Sequence, residues 1–346
     1  MKVFLRGLSA VYLLLLALSL TGMRFIGEHH VLTATLLFLP LVVWIFPAAG
    51  LLLLGAIWDR FLSLVLAGLM AWYGFFFMAP EFNDWIDRKE GDLTLLSCNL
   101  GRDSLDGLQR FVGSEDPDVI ALQEVNNRRA EVRQGFSGYK FSGIDQFPLL
   151  SRYPILEGRS ISLGVKNRRD PCAGRYEVDY NGRRIVIFNV HLPTPRRLLA
   201  SAWQQPRVLL PEIFVKEYPE LCKRVVRGWE DRVSQIDELI SILKKERHPV
   251  IVAGDFNMPA HGTSYPKMAN FMIDAFTVRG RGFGFTFPGN AKLPESIIAP
   301  WLRLDYQFVS PEWSTGYFGL EPTRGAQHRA TVARFRLRDA IKLNLE

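Results

Sequence analysis

Long apolar runs fill the first quarter of the chain, whereas the remainder alternates short apolar runs with polar turns. Three of the long runs, 8–27, 31–57 and 61–80, approach or exceed the roughly 20 residues that an α-helix needs to cross a bilayer. None of them has an ionisable residue in its middle. The pattern therefore predicts three transmembrane helices. Pro40 and Pro47 in the second run leave open a tilt, a kink or a re-entrant end.

Basic residues at the ends of these helices bear on their orientation. Lys2 and Arg6 precede the first helix and Arg60 lies between the second and third, which favours the cytoplasmic side for both positions. Three spans then send the rest of the chain to the extracytoplasmic side, although Arg88 and Lys89 after the third helix favour the opposite orientation. We expect an integral membrane protein whose larger part is extracytoplasmic.

The chain after the third apolar run has the pattern of many short strands. Seven runs rich in β-branched and aromatic residues are bounded by turn residues: 93–100, 118–125, 147–155, 183–192, 249–257, 303–310 and 330–337. Helical periodicity occurs over 104–113 and 221–247. Many strands with few helices between them predict an α+β sandwich rather than a doubly wound sheet. We expect two domains, a membrane anchor over 1–85 and a folded domain over 86–346.

The net charge of +7 belongs to the folded domain, because the anchor carries as many acidic as basic side chains. A basic domain outside the membrane fits an anionic partner: nucleic acid, phospholipid headgroups or the membrane surface beside it. Adjacent basic residues form scattered pairs rather than one block, which is typical of a solvated surface. Arg196 and Arg197, close behind His191, are the pair that we consider as phosphate contacts.

The three cysteines are too few for a disulfide scaffold and match no metal-binding spacing, which argues against a zinc site. Cys98 lies inside an apolar strand run and is expected to be a small buried residue. Cys172 and Cys222 could pair if the domain faces an oxidising compartment.

Isolated carboxylates stand where predicted strands begin or end. Glu124 in LQEV and Asp255 in GDFN follow apolar runs, and Asp305 lies in LDYQF. His191 ends one β-type run and His328 precedes another. A hard divalent cation needs oxygen ligands gathered from distant chain positions, and open sheets place their sites at strand ends. The pattern predicts a metal-assisted phosphoester hydrolase.

Two asparagines complete this set. Asn99 ends the first strand run, and Asn257 follows Asp255 by two positions, so that both side chains point to one face of an extended segment. Each assignment has a structural alternative: a turn for GDFN or for Asn99, a core histidine for His191 and a surface salt bridge for Asp305.

In this order, the strings LQEV, FNVHL, GDFN, LDYQF and AQHRATV resemble the endonuclease/exonuclease/phosphatase superfamily over about 93–337. The resemblance implies a two-sheet β-sandwich flanked by helices. It also implies phosphoester cleavage with a divalent cation, usually Mg²⁺, with Mn²⁺ as the alternative. The roles that it implies are metal binding by Asn99 and Glu124, contact with the phosphate by His191 and Asn257, preparation of the attacking water by Asp255, and support of His328 by Asp305.

The chain departs from the superfamily pattern next to the last histidine. Many relatives have an aspartate there, whereas this chain has Gln327, whose carbonyl can coordinate an ion but brings no negative charge. Weaker metal binding or a different number of metal ions is expected. The acid that orients the first histidine in relatives is not identifiable, since Asp145 and Asp179 are equal candidates. Thr286 and Phe287 fit either a substrate-side loop or a packed turn.

We therefore expect a membrane-anchored, magnesium-dependent phosphodiesterase that acts by in-line attack of water on a nucleic acid or a phospholipid headgroup. The long segment 193–219 is expected to cover the site or to dip into the bilayer. No obligate protein partner is implied. The alternative is a non-catalytic receptor or scaffold that binds a phosphorylated ligand through the same cleft.

Overall fold

The computed structural model describes residues 1–83, 92–101, 105–164, 171–204, 209, 220–289, 300–322 and 326–338. The chain forms two compact units. The first, called the helical unit, comprises Met1–Glu81, Leu198–Trp229 and His261–Thr263. The second, called the sheet unit, comprises Phe82–Arg197, Glu230–Ala260 and Ser264–Glu346.

The α-helices, in chain order, are α1 (Lys2–Phe25), α2 (Val31–Leu37), α3 (Ile45–Trp58), α4 (Arg60–Trp72), α5 (Leu105–Glu115), α6 (Arg129–Gly135), α7 (Arg196–Gln204), α8 (Glu220–Leu243), α9 (Ser264–Phe271) and α10 (Ala275–Arg279). The strands are β1 (Glu81–Phe82), β2 (Leu93–Asn99), β3 (Val119–Gln123), β4 (Lys140–Ser142), β5 (Leu149–Ser151), β6 (Ile155–Ser162), β7 (Pro171–Tyr180), β8 (Arg183–His191), β9 (Val250–Asp255), β10 (Ile273–Asp274), β11 (Arg281–Gly282), β12 (Asp305–Val309), β13 (Trp313–Leu320) and β14 (Thr331–Leu337). The predicted helices at 104–113 and 221–247 correspond to α5 and α8.

Three helical stretches are long and apolar enough to cross a membrane: Lys2–Phe25, Leu41–Trp58 and Arg60–Phe77. The last two extend α3 and α4 by a 3-10 turn and a π turn, respectively. Large apolar side chains on all three stretches remain exposed, as is usual for side chains that face lipid. The prediction of three apolar helices of membrane-spanning length is confirmed.

The second of these helices does not have the predicted bounds. The apolar run 31–57 is interrupted, since α2 ends at Leu37 and the candidate span begins only at Leu41. Pro40 explains the break, because it has no backbone N–H and disfavours helical geometry in the residue before it. The kink that Pro40 left open is therefore an interruption of the helix, and the candidate span covers only part of the predicted run.

α2 is instead a short packing helix within the helical unit. Its Val31 and Ala34 side chains are buried together with Val225 and Trp229 of α8. The last two belong to the apolar stripe that the sequence predicted for this helix, and they are 2% and 1% exposed. Part of the segment 193–219 also contributes to the helical unit through α7, while 205–208 and 210–219 lie outside the described residues.

The sheet unit contains two six-stranded mixed sheets, which confirms the predicted α+β sandwich. Their strand orders are β10-β12-β9-β8-β7-β6 and β13-β14-β2-β3-β5-β4. The predicted strand 147–155 is in fact two strands, because β5 and β6 lie in different sheets on either side of Pro154, which cannot donate to a ladder. The strands β7 and β13 were not predicted, since glycines and charged residues interrupt their apolar pattern.

Strand register brings the predicted site residues to one end of each sheet. In one sheet β8 and β9 run parallel with His191 opposite Asp255, and β12 runs antiparallel with Asp305 opposite the same Asp255. In the other sheet β2 and β3 run parallel with Asn99 opposite Gln123. Glu124 follows β3 directly.

Candidate active site

Asp255 lies at the centre of the cluster of predicted site residues. Its Oδ1 accepts a hydrogen bond from the backbone N–H of Asn257 (2.8 Å), and its Oδ2 accepts from Nδ2 of Asn257 (3.1 Å) and Nδ2 of Asn99 (3.0 Å). The side chain is 1% exposed. Three donors from two asparagines therefore fix the orientation of this carboxylate.

The two histidines approach the same oxygen of Asp255. Nε2 of His191 and Nε2 of His328 are each 3.7 Å from Asp255 Oδ2. His191 Nε2 also lies 3.3 Å from Oε1 of Glu124. The structure thus brings two imidazoles and two carboxylates from four separate chain segments to one small region.

His191 is a buried histidine that makes no hydrogen bond in the described part of the structure. It is 9% exposed, and neither Nδ1 nor Nε2 has a hydrogen-bond partner. Asp145 accepts from Ser160 Oγ, and Asp179 accepts from the N–H of Gly182, so neither is the acid that orients this ring. An unpartnered buried imidazole at an acidic cluster is suited to contact with a ligand oxygen.

His328 and Asp305 form a buried pair. Nδ1 of His328 lies 2.9 Å from Oδ2 of Asp305, and the backbone N–H of Asp305 donates to Thr286 Oγ1 (3.2 Å). Burial lowers the pKa of His328, but the nearby carboxylates of Asp305 and Asp255 outweigh it and raise this pKa to about 9. Burial in turn raises the pKa of the Asp305 carboxyl. At neutral pH this pair carries a proton on the imidazole.

Three side-chain oxygens surround the space in front of Gly101. A Cβ atom added at this glycine would lie 3.8 Å from Oδ1 of Asn99, 3.8 Å from Oε1 of Gln327 and 3.9 Å from Oε2 of Glu124. These oxygens come from three chain segments and include one carboxylate. The set matches the oxygen ligands that Mg²⁺ and Mn²⁺ take, so the residues present fit a divalent cation.

A second group of side chains has metal-ligating atoms close together. Atoms of Asp255, Asp305 and His328 all lie within 4.8 Å of one another, and this is the group of this kind found among the described residues. The space near Gly101 is lined by oxygens alone, the ligand type that Mg²⁺ and Mn²⁺ prefer, and this favours it over the histidine-containing group as the cation site.

Backbone geometry at the site could not be read from the sequence. Glu124 (φ 54°) and Asn257 (φ 48°) both adopt the left-handed region, which is uncommon outside glycine and clusters at functional sites. Gly254 has φ 146°, and a Cβ there would lie 1.9 Å from the carbonyl oxygen of Val190. Only glycine permits the close approach of β9 to β8 that places Asp255 beside His191.

Sequence reasoning missed a buried polar network beneath the site. Gln123 Nε2 donates to Asn189 Oδ1 (2.6 Å) and Ser97 Oγ (3.1 Å), while Asn189 Nδ2 donates to the carbonyl of Leu122 (2.8 Å). These contacts join β2, β3 and β8, which belong to the two sheets. The signal was present, since Gln123 directly precedes Glu124 and Asn189 lies two residues before His191 in otherwise apolar strands.

The other predicted residues have simpler placements. Both hydrogens of the Asn257 amide are used within the protein, because Nδ2 also donates to the carbonyl of Leu192 (3.0 Å). Thr286 supports Asp305, and the ring of Phe287 packs on His328 at 4.9 Å. The side chain of Cys222 lies outside the described residues, so pairing with Cys172 stays an expectation.

Comparison with known proteins gives one family. The sequence profile described as Endonuclease/Exonuclease/phosphatase family matches residues 96–327. No curated protein matches the chain significantly. Among solved structures, it is similar to an endonuclease/exonuclease/phosphatase from Beutenbergia cavernae (16% identity, 72% of this chain, 73% of that chain, TM-score 0.49).

Two further solved structures from Bacteroides are similar to the chain. One is an endonuclease/exonuclease/phosphatase from Bacteroides vulgatus, with 17% identity, coverage of 72% of this chain and 100% of that chain, and a TM-score of 0.49. The other is a mannosyl-6-phosphatase from Bacteroides thetaiotaomicron, with 16% identity, coverage of 70% and 99%, and a TM-score of 0.46.

Proposed function

The chain belongs to the endonuclease/exonuclease/phosphatase family, and from this premise we propose that it is a membrane-anchored, divalent-metal-dependent phosphodiesterase. The observation that carries the proposal is the position of Asp255 Oδ2, which lies 3.7 Å from Nε2 of both His191 and His328. A phosphate seated against these imidazoles would have a buried carboxylate beside it. That arrangement suits attack by a water on phosphorus.

A divalent cation would be held by Asn99 and Glu124, with Gln327 as a neutral third oxygen donor. When bound, the cation would lower the pKa of a coordinated water and offset negative charge on the phosphoryl oxygens. The side chain of Glu124 is 34% exposed, so the site remains open to solvent. Mg²⁺ is the expected ion and Mn²⁺ the alternative, since both prefer oxygen ligands.

Each of the remaining catalytic roles would belong to a side chain of the protein. Asp255 orients the attacking water and accepts its proton, and Asn99 and Asn257 keep this carboxylate in place. His191 donates from Nε2 to a phosphoryl oxygen, for which its lack of a partner leaves it free. His328, protonated and held by Asp305, stabilises the negative charge that develops as the leaving group departs.

The chain segments that form the helical unit bear on which class of substrate the enzyme would take. Two segments that follow catalytic residues along the chain, Leu198–Trp229 after His191 and His261–Thr263 after Asn257, belong to the same compact unit as the candidate membrane helices. The anchor would keep the enzyme at a membrane, on the extracytoplasmic side that the basic residues at the helix ends favour. A phospholipid headgroup is therefore favoured over nucleic acid as the phosphoester.

The test is a substrate panel with the full chain in detergent or nanodiscs. Plasmid DNA, RNA, sphingomyelin and phosphatidylinositol phosphates are each incubated with Mg²⁺ and with EDTA. We expect metal-dependent release of a headgroup from one lipid and little cleavage of nucleic acid. Cleavage of nucleic acid alone would reverse the substrate assignment. Tight binding of a phosphorylated ligand without any turnover would favour the receptor alternative, for which Gln327 is the only support.

Replacing Gln327 with aspartate should tighten binding of the cation. The change places a negative charge at an oxygen that already lies beside Asn99 and Glu124. We expect the Mg²⁺ concentration for half-maximal activity to fall roughly tenfold, because a charged ligand binds a hard cation more strongly than an amide carbonyl. The matched control is Gln134→Asp, an exposed glutamine on α6. An unchanged Mg²⁺ dependence in Gln327→Asp would exclude residue 327 from the cation site.

A further inference from the structure

Arg232 on α8 donates hydrogen bonds to two loops that carry site residues. Its Nη1 donates to the carbonyl of Pro193, two positions after His191, and its Nη2 donates to the carbonyl of Asn257 (2.6 Å). These two bonds are called the Arg232 bridge, and the residues that they join all belong to the sheet unit. We propose that Arg232 is a positioning residue for the proposed hydrolysis, because the bridge holds Asn257 in the conformation that orients Asp255. Its effect on the rate rests on the proposed function.

The regular pairing of β8 with β9 ends at these loops. The N–H of Leu192 donates to the carbonyl of Asp255 (3.0 Å), as in a parallel ladder. The next ladder bond would join the N–H of Asn257 to the carbonyl of Leu192, but this N–H donates to Asp255 Oδ1 instead (2.8 Å). Nδ2 of Asn257 takes its place at the Leu192 carbonyl (3.0 Å). A side-chain amide therefore replaces the backbone bond at the point where the two chains leave the sheet.

The backbone of Asn257 is unfavourable and needs support from its surroundings. Its φ of 48° lies in the left-handed region, where a Cβ atom crowds the backbone. A non-glycine residue keeps such a conformation when the contacts around it determine it. In this conformation the side chain donates to Asp255 Oδ2 (3.1 Å), while the carbonyl accepts from Arg232 (2.6 Å). The bridge thus fixes the backbone of the residue whose side chain orients the carboxylate.

The helix α8 gives Arg232 a rigid base. Ile236, one helical turn after Arg232, is 1% exposed and belongs to the same apolar cluster as Val190 of β8 and Val252 of β9. Leu239, further along the helix, belongs to this cluster as well. The helix that carries the guanidinium therefore shares a core with both of the strands that the bridge joins.

The chemistry of the arginine side chain suits this role. A guanidinium is planar and presents its two Nη groups in a fixed fork, so that it reaches two carbonyl oxygens at once. An ammonium group is a single point of charge and does not reproduce the fork. Exchange of Arg232 for lysine therefore keeps the positive charge but removes the geometry of the bridge. This exchange separates positioning of the loops from direct attraction of a phosphate.

Kinetics of Arg232→Lys give the first test, with the full chain in nanodiscs and whichever lipid or nucleic acid the substrate panel shows to be cleaved. We expect kcat to fall roughly tenfold, since even a small displacement of a catalytic group is costly. The Mg²⁺ concentration for half-maximal activity should stay unchanged, because Asn99 and Glu124 would hold the cation. Wild-type kcat in Arg232→Lys would overturn the proposal, as it would show that the positive charge alone suffices.

The matched control makes the same exchange in a separate basic cleft of the sheet unit. The cleft is lined by Arg159, Arg175, Lys245 and His248, among others. Arg175 is a buried arginine that pairs with Glu246 (2.6 Å) and Glu177 (3.0 Å). Arg175→Lys should lower Tm, because a buried fork is lost, but should leave kcat unchanged. An equal fall of kcat in both variants would reduce the effect of Arg232→Lys to a loss of stability and contradict its positioning role.

A double-mutant cycle with Asn257→Gly tests whether Arg232 acts through Asn257. Glycine adopts positive φ without strain and lacks the amide that bonds Asp255, so the bridge has nothing left to position there. Arg232→Lys should therefore change kcat little in the Asn257→Gly background. Residues that act independently would instead multiply their effects, and that result would contradict the proposal.

Hydrogen–deuterium exchange of the full chain tests the bridge without turnover. We expect faster exchange at the N–H groups of Leu192 and Asn257 in Arg232→Lys than in the wild type or in Arg175→Lys, because these two groups donate to Asp255. A panel in which no substrate is cleaved would refute the proposed function, while this measurement would still decide on the bridge. Equal exchange in the three proteins would overturn the inference.

Discussion

Asp255→Asn should reduce kcat for phosphodiester hydrolysis by about 10³-fold, as expected when a buried general base is removed. The variant keeps the size of the side chain and one carbonyl oxygen. It removes the negative charge and places an NH₂ group among the N–H groups of Asn99 and Asn257, which now donate to this carboxylate. The reaction therefore loses its proton acceptor, and the donor groups lose an acceptor for one of their hydrogen bonds.

The rate is measured with the substrate that the panel identifies, at saturating Mg²⁺. Asp237→Asn is the matched control, because Asp237 is an exposed residue of α8 whose carboxylate pairs with Lys267 outside the site. This control should keep the wild-type rate. Circular dichroism and Tm establish that both variants are folded. Wild-type turnover by a folded Asp255→Asn protein would remove Asp255 from the mechanism.

His191→Ala should lower kcat by about 10²-fold while changing stability little, a combination typical of a residue kept for function. Neither ring nitrogen of His191 has a hydrogen-bond partner among the described residues, so its removal breaks no hydrogen bond there. It also removes a polar ring from a buried position. We expect the free energy of unfolding to fall by no more than about 1–2 kcal/mol, within the ordinary range for one substitution.

Thermal unfolding and steady-state kinetics of the same preparation check this prediction. His248→Ala serves as the control, since His248 lies in the separate basic cleft beside Arg175. It should change neither kcat nor Tm appreciably. A His191→Ala protein that is strongly destabilised but has normal kcat once folded would show that His191 is a core histidine and not a phosphate contact.

Much of the fold was predictable because it depends on periodicity. The apolar runs specified three helices of membrane-spanning length, and the short strand runs specified a two-sheet α+β sandwich. Local chemistry decided where the bounds of the elements depart from this pattern. Pro40 divided the second apolar run, and Pro154 divided one predicted strand between two sheets. The division at Pro154 was missed because the apolar pattern was weighed above the missing proline N–H, whereas Pro40 had already left open a kink in the second run.

The candidate site was predictable as a set of residues but not as an arrangement. Strand ends indicated that Glu124, Asp255 and Asp305 would lie together, and their roles remain predictions. The left-handed backbone of Glu124 and the close approach at Gly254 depend on contacts between distant segments, which no local pattern encodes.

The proposed hydrolysis depends on a divalent cation held by Asn99 and Glu124, and metal-dependent turnover by the folded full chain tests this dependence most directly. Hydrolysis is measured in EDTA and then against increasing Mg²⁺ or Mn²⁺, for the wild type and for Glu124→Gln. We expect no turnover in EDTA, recovery with either ion, and a metal requirement roughly tenfold higher in Glu124→Gln. Turnover that persists in EDTA, or an identical metal requirement in the two proteins, would contradict it.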